Sequence, residues 1–187
     1  MFSLPVIVTD HDSVNAEIFI AAPPEQVFGA LVKRDQALQW TNGASFETTL
    51  CETNAWLGGK CRVVSQRCGG GGEAGAAFEH DGAILEFHPP HLLAYSWYAN
   101  WHSDPRHETR VRWKLLAVNG GTRVRLAHTG LAALAGVREG YAQGWPGLLI
   151  AIKSFVESRQ SNPASPELQL KSFSRRKLWL TRFVTLN

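Results

Sequence analysis

Apolar and polar positions along the chain change period twice. The stretch Val14-Asn15-Ala16-Glu17-Ile18-Phe19-Ile20 alternates loosely and is rich in β-formers, so it reads as a first strand. Pro23-Pro24 stops it. Pro24 suits the first turn of a helix, where a missing N–H costs nothing, and Glu25 suits the positive end of that helix. Val27, Phe28, Leu31 and Val32 then follow at helical spacing. A second short helix is expected over 35–40, with Asp35 as its cap.

Short apolar runs separated by Gly, Pro, Asn and Asp follow near 45–52, 58–67, 81–88, 91–99, 107–118 and 121–129. Short strands with regular turn punctuation mean an antiparallel sheet. Pro89-Pro90 forces a tight connection, and Asn119-Gly120-Gly121 is a hairpin signal. Thr122, Val124, Leu126 and His128 share one face of the last run, opposite Arg123 and Arg125. Val111, Trp113 and Leu115 are likewise opposed to Arg110, Arg112 and Lys114, and Leu93, Tyr95 and Trp97 repeat the pattern. The period then becomes helical. Between Val137 and Glu157, Tyr141, Trp145, Leu148, Leu149, Ile152, Phe155 and Val156 recur every three or four residues, which predicts one long amphipathic helix. The fold class is therefore α+β, an antiparallel sheet with a long C-terminal helix and two short helices after the first strand.

Residues 161–166, Ser-Asn-Pro-Ala-Ser-Pro, have linker composition. The expected division is a lead segment over 1–12, one domain over 13–160 and a basic, aromatic tail over 161–187. With 44% hydrophobic and 19% charged residues the chain is globular in composition. The net charge of +3 is uneven: Lys171, Arg175, Arg176, Lys177 and Arg182 against Glu167 make 160–187 net +4, which leaves −1 for the rest. The domain thus lacks the basic footprint of a nucleic-acid binder. No apolar stretch approaches the ~20 residues of a spanning helix. The first ten residues, interrupted by Pro5 and carrying no Lys or Arg, do not read as a signal peptide.

Cys51, Cys61 and Cys68 are odd in number and match no zinc spacing. They read as reduced thiols of a cytoplasmic protein, with a Cys51–Cys61 bridge as the alternative. Among the seven histidines, the pairs His88/His91 and His102/His107 lack metal-site spacing, so no metal and no cofactor is expected. No Gly-x-Ser-x-Gly elbow or phosphate loop occurs, and no catalytic residue is assigned.

Three motifs carry a family resemblance. They are Ile18-Phe19-Ile20-Ala21-Ala22-Pro23-Pro24-Glu25-Gln26-Val27-Phe28; Gly82-Ala83-Ile84-Leu85-Glu86-Phe87-His88-Pro89-Pro90 followed by Leu92-Leu93-Ala94-Tyr95-Ser96-Trp97; and Gly121-Thr122-Arg123-Val124-Arg125-Leu126-Ala127-His128-Thr129-Gly130-Leu131 followed by Gly144-Trp145 and Leu148-Leu149. Their order and spacing over 13–158 resemble the helix-grip fold of the START/Bet v 1-like (SRPBCC) superfamily, in the branch related to the activator of Hsp90 ATPase (AHSA1-like). The chain departs from that pattern at its glycine-rich loop, at the His and Trp cluster over 101–107 and in its tail. The resemblance implies the fold and a ligand-binding tendency, not a reaction.

The expected function is the binding of an apolar or amphipathic small molecule in a cavity between sheet and C-terminal helix. The ligand-binding candidates are Phe28, Trp40, Tyr95, Trp97, Trp113, Leu126, His128, Trp145 and Leu149, with plain core packing as the competing reading of the aromatic ones. Leu126→Trp is expected to fill the cavity. His128 serves either a ligand, by hydrogen bond or as an acid/base, or the corner between last strand and helix. Two other functions stay open: a module interacting with a chaperone such as Hsp90, and a cyclase- or hydrolase-type enzyme using His128. A homodimer also stays open.

Overall fold

The computed structural model describes residues 4–42, 46–67, 77–104 and 106–161. Eight strands form one antiparallel sheet: β1 Val6–Thr9, β2 Ser13–Ile20, β3 Phe46–Thr53, β4 Lys60–Arg67, β5 Ala77–His88, β6 Leu92–Ala99, β7 Thr109–Val118 and β8 Gly121–Thr129. Helices α1 Pro24–Val32 and α2 Arg34–Thr41 follow β2, and α3 Ala135–Ser161 closes the described chain. The strand order is β1-β2-β8-β7-β6-β5-β4-β3. From β3 to β8 each strand pairs with the next in sequence, while β2 returns to pair with β8, Val14 opposite His128 and Ile20 opposite Thr122.

Residues 6–9, part of the expected lead segment, add a strand to the sheet, with Val6 opposite Glu17. The alternation test misses it because Val6 and Val8 are both exposed on an edge. Asp35 lies in the first turn of α2 and does not cap it; Lys33 occupies the cap position, with no side-chain bond. Pro24 and Glu25 do open α1 as expected. The strand expected over 81–88 begins at Ala77, which brings His80 into the sheet. Of the tail expected over 161–187, only Ser161 lies within the described residues.

The faces follow the parity of the sequence. On β7 and β8, Val111, Trp113, Leu115, Thr122, Val124, Leu126 and His128 are buried, while Arg110, Arg112, Lys114, Arg123 and Arg125 are exposed. The outer face is laced by ion pairs, Arg112 with Glu86 at 3.1 Å and Arg125 with Glu17 at 2.6 Å. The inner face packs with Val27, Phe28 and Leu31 of α1 and with Trp145, Leu149, Ile152 and Val156 of α3. Glycine is required by geometry at two positions near these strands in particular. Gly120 turns the β7–β8 hairpin at φ +81°, and a Cβ on Gly82 would meet the Ser96 carbonyl oxygen at 1.9 Å.

Candidate functional site

Inward positions of β3 to β7, together with α1, α2 and α3, border an open-sided cavity of about 640 Å3. Strand parity supplies Cys61, Val63 and Ser65 from β4, Phe78 and His80 from β5, and Leu93, Tyr95 and Trp97 from β6. Small residues face them from α3: Gly144, Gly147 and Ala151 line the cavity, and a Cβ added to either glycine would meet nothing within 4 Å. Gly144 and Gly147 are themselves exposed, so the missing side chains leave this side of the cavity open at the helix.

Five candidates named from the sequence, Trp40, Tyr95, Trp97, Trp113 and Trp145, converge on this cavity. Phe28, Leu126, His128 and Leu149 are not on its wall; they belong to the packed core. Leu126 is 1% exposed and sits beside Trp113 across the β7–β8 ladder, so Leu126→Trp would overpack the core and not fill the cavity. Gly144, like Gly147, borders the open space and leaves room for a side chain.

The indole N–H groups are mostly spoken for. Trp40 Nε1 donates to the Ala30 carbonyl at 2.8 Å and Trp113 Nε1 to the Tyr95 hydroxyl at 3.1 Å. The Tyr141 oxygen accepts from Trp97 Nε1 at 2.9 Å and Trp101 Nε1 at 3.1 Å. With both acceptor positions used, its O–H donates to His102 Nε2, 2.7 Å away. One phenol thereby ties α3 to β6 and to the segment after it. Burial raises the Tyr141 pKa well above its ordinary value, so it stays protonated.

His128 is fully buried. Thr109 Oγ1 spends its proton on the Trp97 carbonyl at 3.0 Å and therefore accepts from His128 Nε2 at 2.9 Å. Nδ1 of His128 is then a bare acceptor, sealed from solvent without a partner. Burial, followed by the neighbouring His102 and His80, pushes its pKa down to about 3. The neutral ring sits at the corner between β8 and α3 with the Tyr141 ring 4.2 Å away. As an acid/base on a cavity ligand it has no contact to work through.

His80 is the residue that sequence reasoning passed over. Its ring stacks on Trp97, centroids 3.5 Å apart and planes 12° off parallel, and it lines the cavity. Burial pushes its pKa down to about 3, so it is neutral. The signal is present, since His80 shares parity with Gly82 and Ile84, but the strand expected from 81 starts four residues earlier, at Ala77. The sequence places Tyr141 only on the apolar side of the long helix, His102 only in a pair that lacks metal-site spacing, and Trp101 only in the 101–107 departure from the family pattern. Cys51 and Cys61 are free thiols on the cavity wall, raised by burial to about 11 and about 12 and hence uncharged. Cys68 lies outside the described residues. Among the described residues, no group of three metal-ligating side chains is brought together, and no helix is long and apolar enough to cross a membrane.

This architecture recurs in solved structures. A Rhodobacter sphaeroides protein is 23% identical, superposes with a TM-score of 0.69, and is matched over 99% of its length and 82% of this chain. An Arthrobacter aurescens protein is 15% identical, with a TM-score of 0.68 over 91% of its length and 82% of this chain. An AHSA1-like protein from Aeromonas hydrophila is 18% identical, with a TM-score of 0.62 over 94% of its length and 84% of this chain. At these identities the likeness speaks for the fold. No curated protein matches the chain at a significant level. The family model described as activator of Hsp90 ATPase homolog 1-like protein matches residues 21–157, from the turn before α1 into the last turns of α3. The chain belongs to that family, within the SRPBCC superfamily.

Proposed function

We propose that the chain binds an apolar or amphipathic small molecule in the cavity between α3 and the β3–β7 part of the sheet. The observation that carries this reading is the cavity's size combined with its wall. About 640 Å3 is open, within the ~300–1,000 Å3 usual for small-molecule sites. Five of the chain's seven tryptophans line it. A core that merely failed to pack would lose contacts around such a void with no compensation. An apolar occupant restores those contacts.

The test is thermal shift of the purified protein against lipids, sterols, aromatic polyketides and flavonoids, repeated on Gly144→Leu. A ligand at a hundred times its Kd adds about 2.7 kcal/mol to stability, a shift of several degrees. The variant should stay folded and lose the shift, because its side chain occupies the open space. A broad panel without a hit, or a hit unaffected by Gly144→Leu, would remove the support for this site.

A further inference from the structure

We infer that the ligand of this cavity is an uncharged molecule with a flat aromatic body and a single hydroxyl or carbonyl group, and that His80 holds that polar group. This rests on the binding function proposed above and narrows it. The first argument is charge. Among the described residues, no Asp, Glu, Lys or Arg lines the cavity. Arg62 of β4 and Glu79 of β5 point to the other face, where they pair at 2.6 Å. The Arg34 guanidinium acts on Cys51 from α2, but that side chain is exposed and is not on the wall. A carboxylate or ammonium ion inside would give up its hydration with no partner to replace it.

The second argument is an account of the polar groups that do face inward. Thr48 and Ser65 bond each other at 2.9 Å, and Thr41 Oγ1 donates to the Ala37 carbonyl at 2.8 Å. Thr53 bonds the Cys61 thiol. Tyr141 is fully engaged by Trp97, Trp101 and His102. Trp145 Nε1 has no partner but is sealed off, out of a ligand's reach. Asn42 and Gln143 are exposed, at the rim. Tyr95 accepts from Trp113 Nε1 and has no acceptor for its own O–H among the described residues, so it can add a donor beside His80. His80 differs from the rest. Among the described residues its ring nitrogens have no hydrogen-bond partner, and they are not sealed: the ring opens on the cavity. A neutral imidazole brings one donor and one acceptor, so it can serve a hydroxyl or a carbonyl.

The third argument is shape. Trp97 holds the His80 ring parallel to its own, and Tyr95 lies 25° off parallel to Trp97 at 6.2 Å. On the helix side Tyr141 and Trp145 are near-parallel, 23° apart at 6.3 Å. Rigid aromatic walls of this kind favour a flat ring system over a flexible chain, which would lose more rotational freedom on entry.

Three probes separate these features: pyrene, 1-pyrenemethanol and 1-pyrenecarboxylate, titrated at pH 7 and read by energy transfer from tryptophan. The alcohol should bind the wild-type protein about five- to tenfold tighter than pyrene, the size of one net hydrogen bond. The carboxylate should bind at least about a hundredfold more weakly than the alcohol. His80→Phe should bind pyrene as before and lose the alcohol's advantage, and His80→Gln should keep most of it. An alcohol no tighter than pyrene, or a carboxylate as tight as the alcohol, overturns this inference. If Gly144→Leu still blocks pyrene in that case, the cavity function stands without it. Failure of all three probes to bind overturns both. The comparison among probes is made on the wild-type chain, so it decides the matter even if a His80 variant does not fold.

Discussion

The two ends of the sheet are built from the same alternating strands and come out differently. In the β2–β8–β7 part, the inward residues Val14, Ile18, Ile20, Val111, Leu115, Val124 and Leu126 interlock with α1 and α3, and each is at most 2% exposed. In the β3–β4–β5 part, Val63, Ser65, Phe78 and His80 face inward too but stay only half-buried, because the space before them is empty. The difference lies in what stands opposite. Leu149, Ile152 and Val156 of α3 fill one end, whereas Gly144, Gly147 and Ala151 present almost nothing to the other. One end therefore carries stability and the other is free to carry a ligand.

The largest effect that would test this division is a pair of truncations. Leu126→Ala removes three carbons from a closed core and should cost about 2–5 kcal/mol. Val63→Ala enlarges a space that already exists and should cost about 1 kcal/mol or less. Urea unfolding of both variants gives the values. Equal losses would mean that the β3–β5 end is packed as tightly as the other.

The packed end also holds a titration. His128 has a folded pKa near 3 against an ordinary value of about 6.5. Above about pH 6.5 both folded and unfolded chains hold it neutral, and its stability contribution is complete. As pH falls from there toward 3, the unfolded chain takes up a proton that the folded chain refuses. Stability then drops by up to about 1.4 kcal/mol per pH unit from this group, and His80 acts in the same direction. His128→Leu should be less stable than wild type at pH 7, and the gap should narrow as pH falls to 4. Denaturant unfolding across pH 4–8 measures it; a constant gap would show that His128 titrates normally.

The fold was legible because strand parity and helical spacing are local. Arg123 and Arg125 against Val124 and Leu126, or Trp145, Leu149 and Ile152 along α3, can be read without knowing any neighbour. The cavity was half legible for the same reason: parity puts Tyr95, Trp97 and Trp113 on the inner face. Parity does not say what stands opposite. Leu126 and Trp113 share a face and are register partners, yet one closes the core and the other lines the cavity. That distinction depends on which turn of α3 each meets, a long-range fact that spacing does not encode. His80 was lost to a strand boundary, where propensity is weakest, and Tyr141's three partners come from distant segments of the chain.

Those partners give the next prediction. Tyr141→Phe leaves the Trp97 and Trp101 N–H groups and His102 Nε2 without their common partner. The expected loss is about 2 kcal/mol, less than Leu126→Ala because the ring and its packing remain. Tryptophan emission should shift as two indoles change environment. A loss as large as that of Leu126→Ala would place Tyr141 with the closed core and blur the boundary between the two ends.

The smallest effect is the sharpest probe of that boundary. Gly140 and Gly144 lie one turn apart on α3, and a Cβ on either meets nothing within 4 Å, but only Gly144 lines the cavity. Gly140→Ala and Gly144→Ala should each stabilise the helix by about 0.5–1 kcal/mol, since alanine loses less backbone freedom on folding. Longer side chains should divide the sites. Gly140→Leu should leave ligand binding untouched, and Gly144→Leu should abolish it at unchanged or higher Tm. Alanine favours the helix at both sites, and of the two only Gly144 borders the cavity that a longer side chain would enter. If Gly144→Leu lowered Tm by several degrees instead, its side chain would be meeting protein, and the openness of that end would not hold in solution.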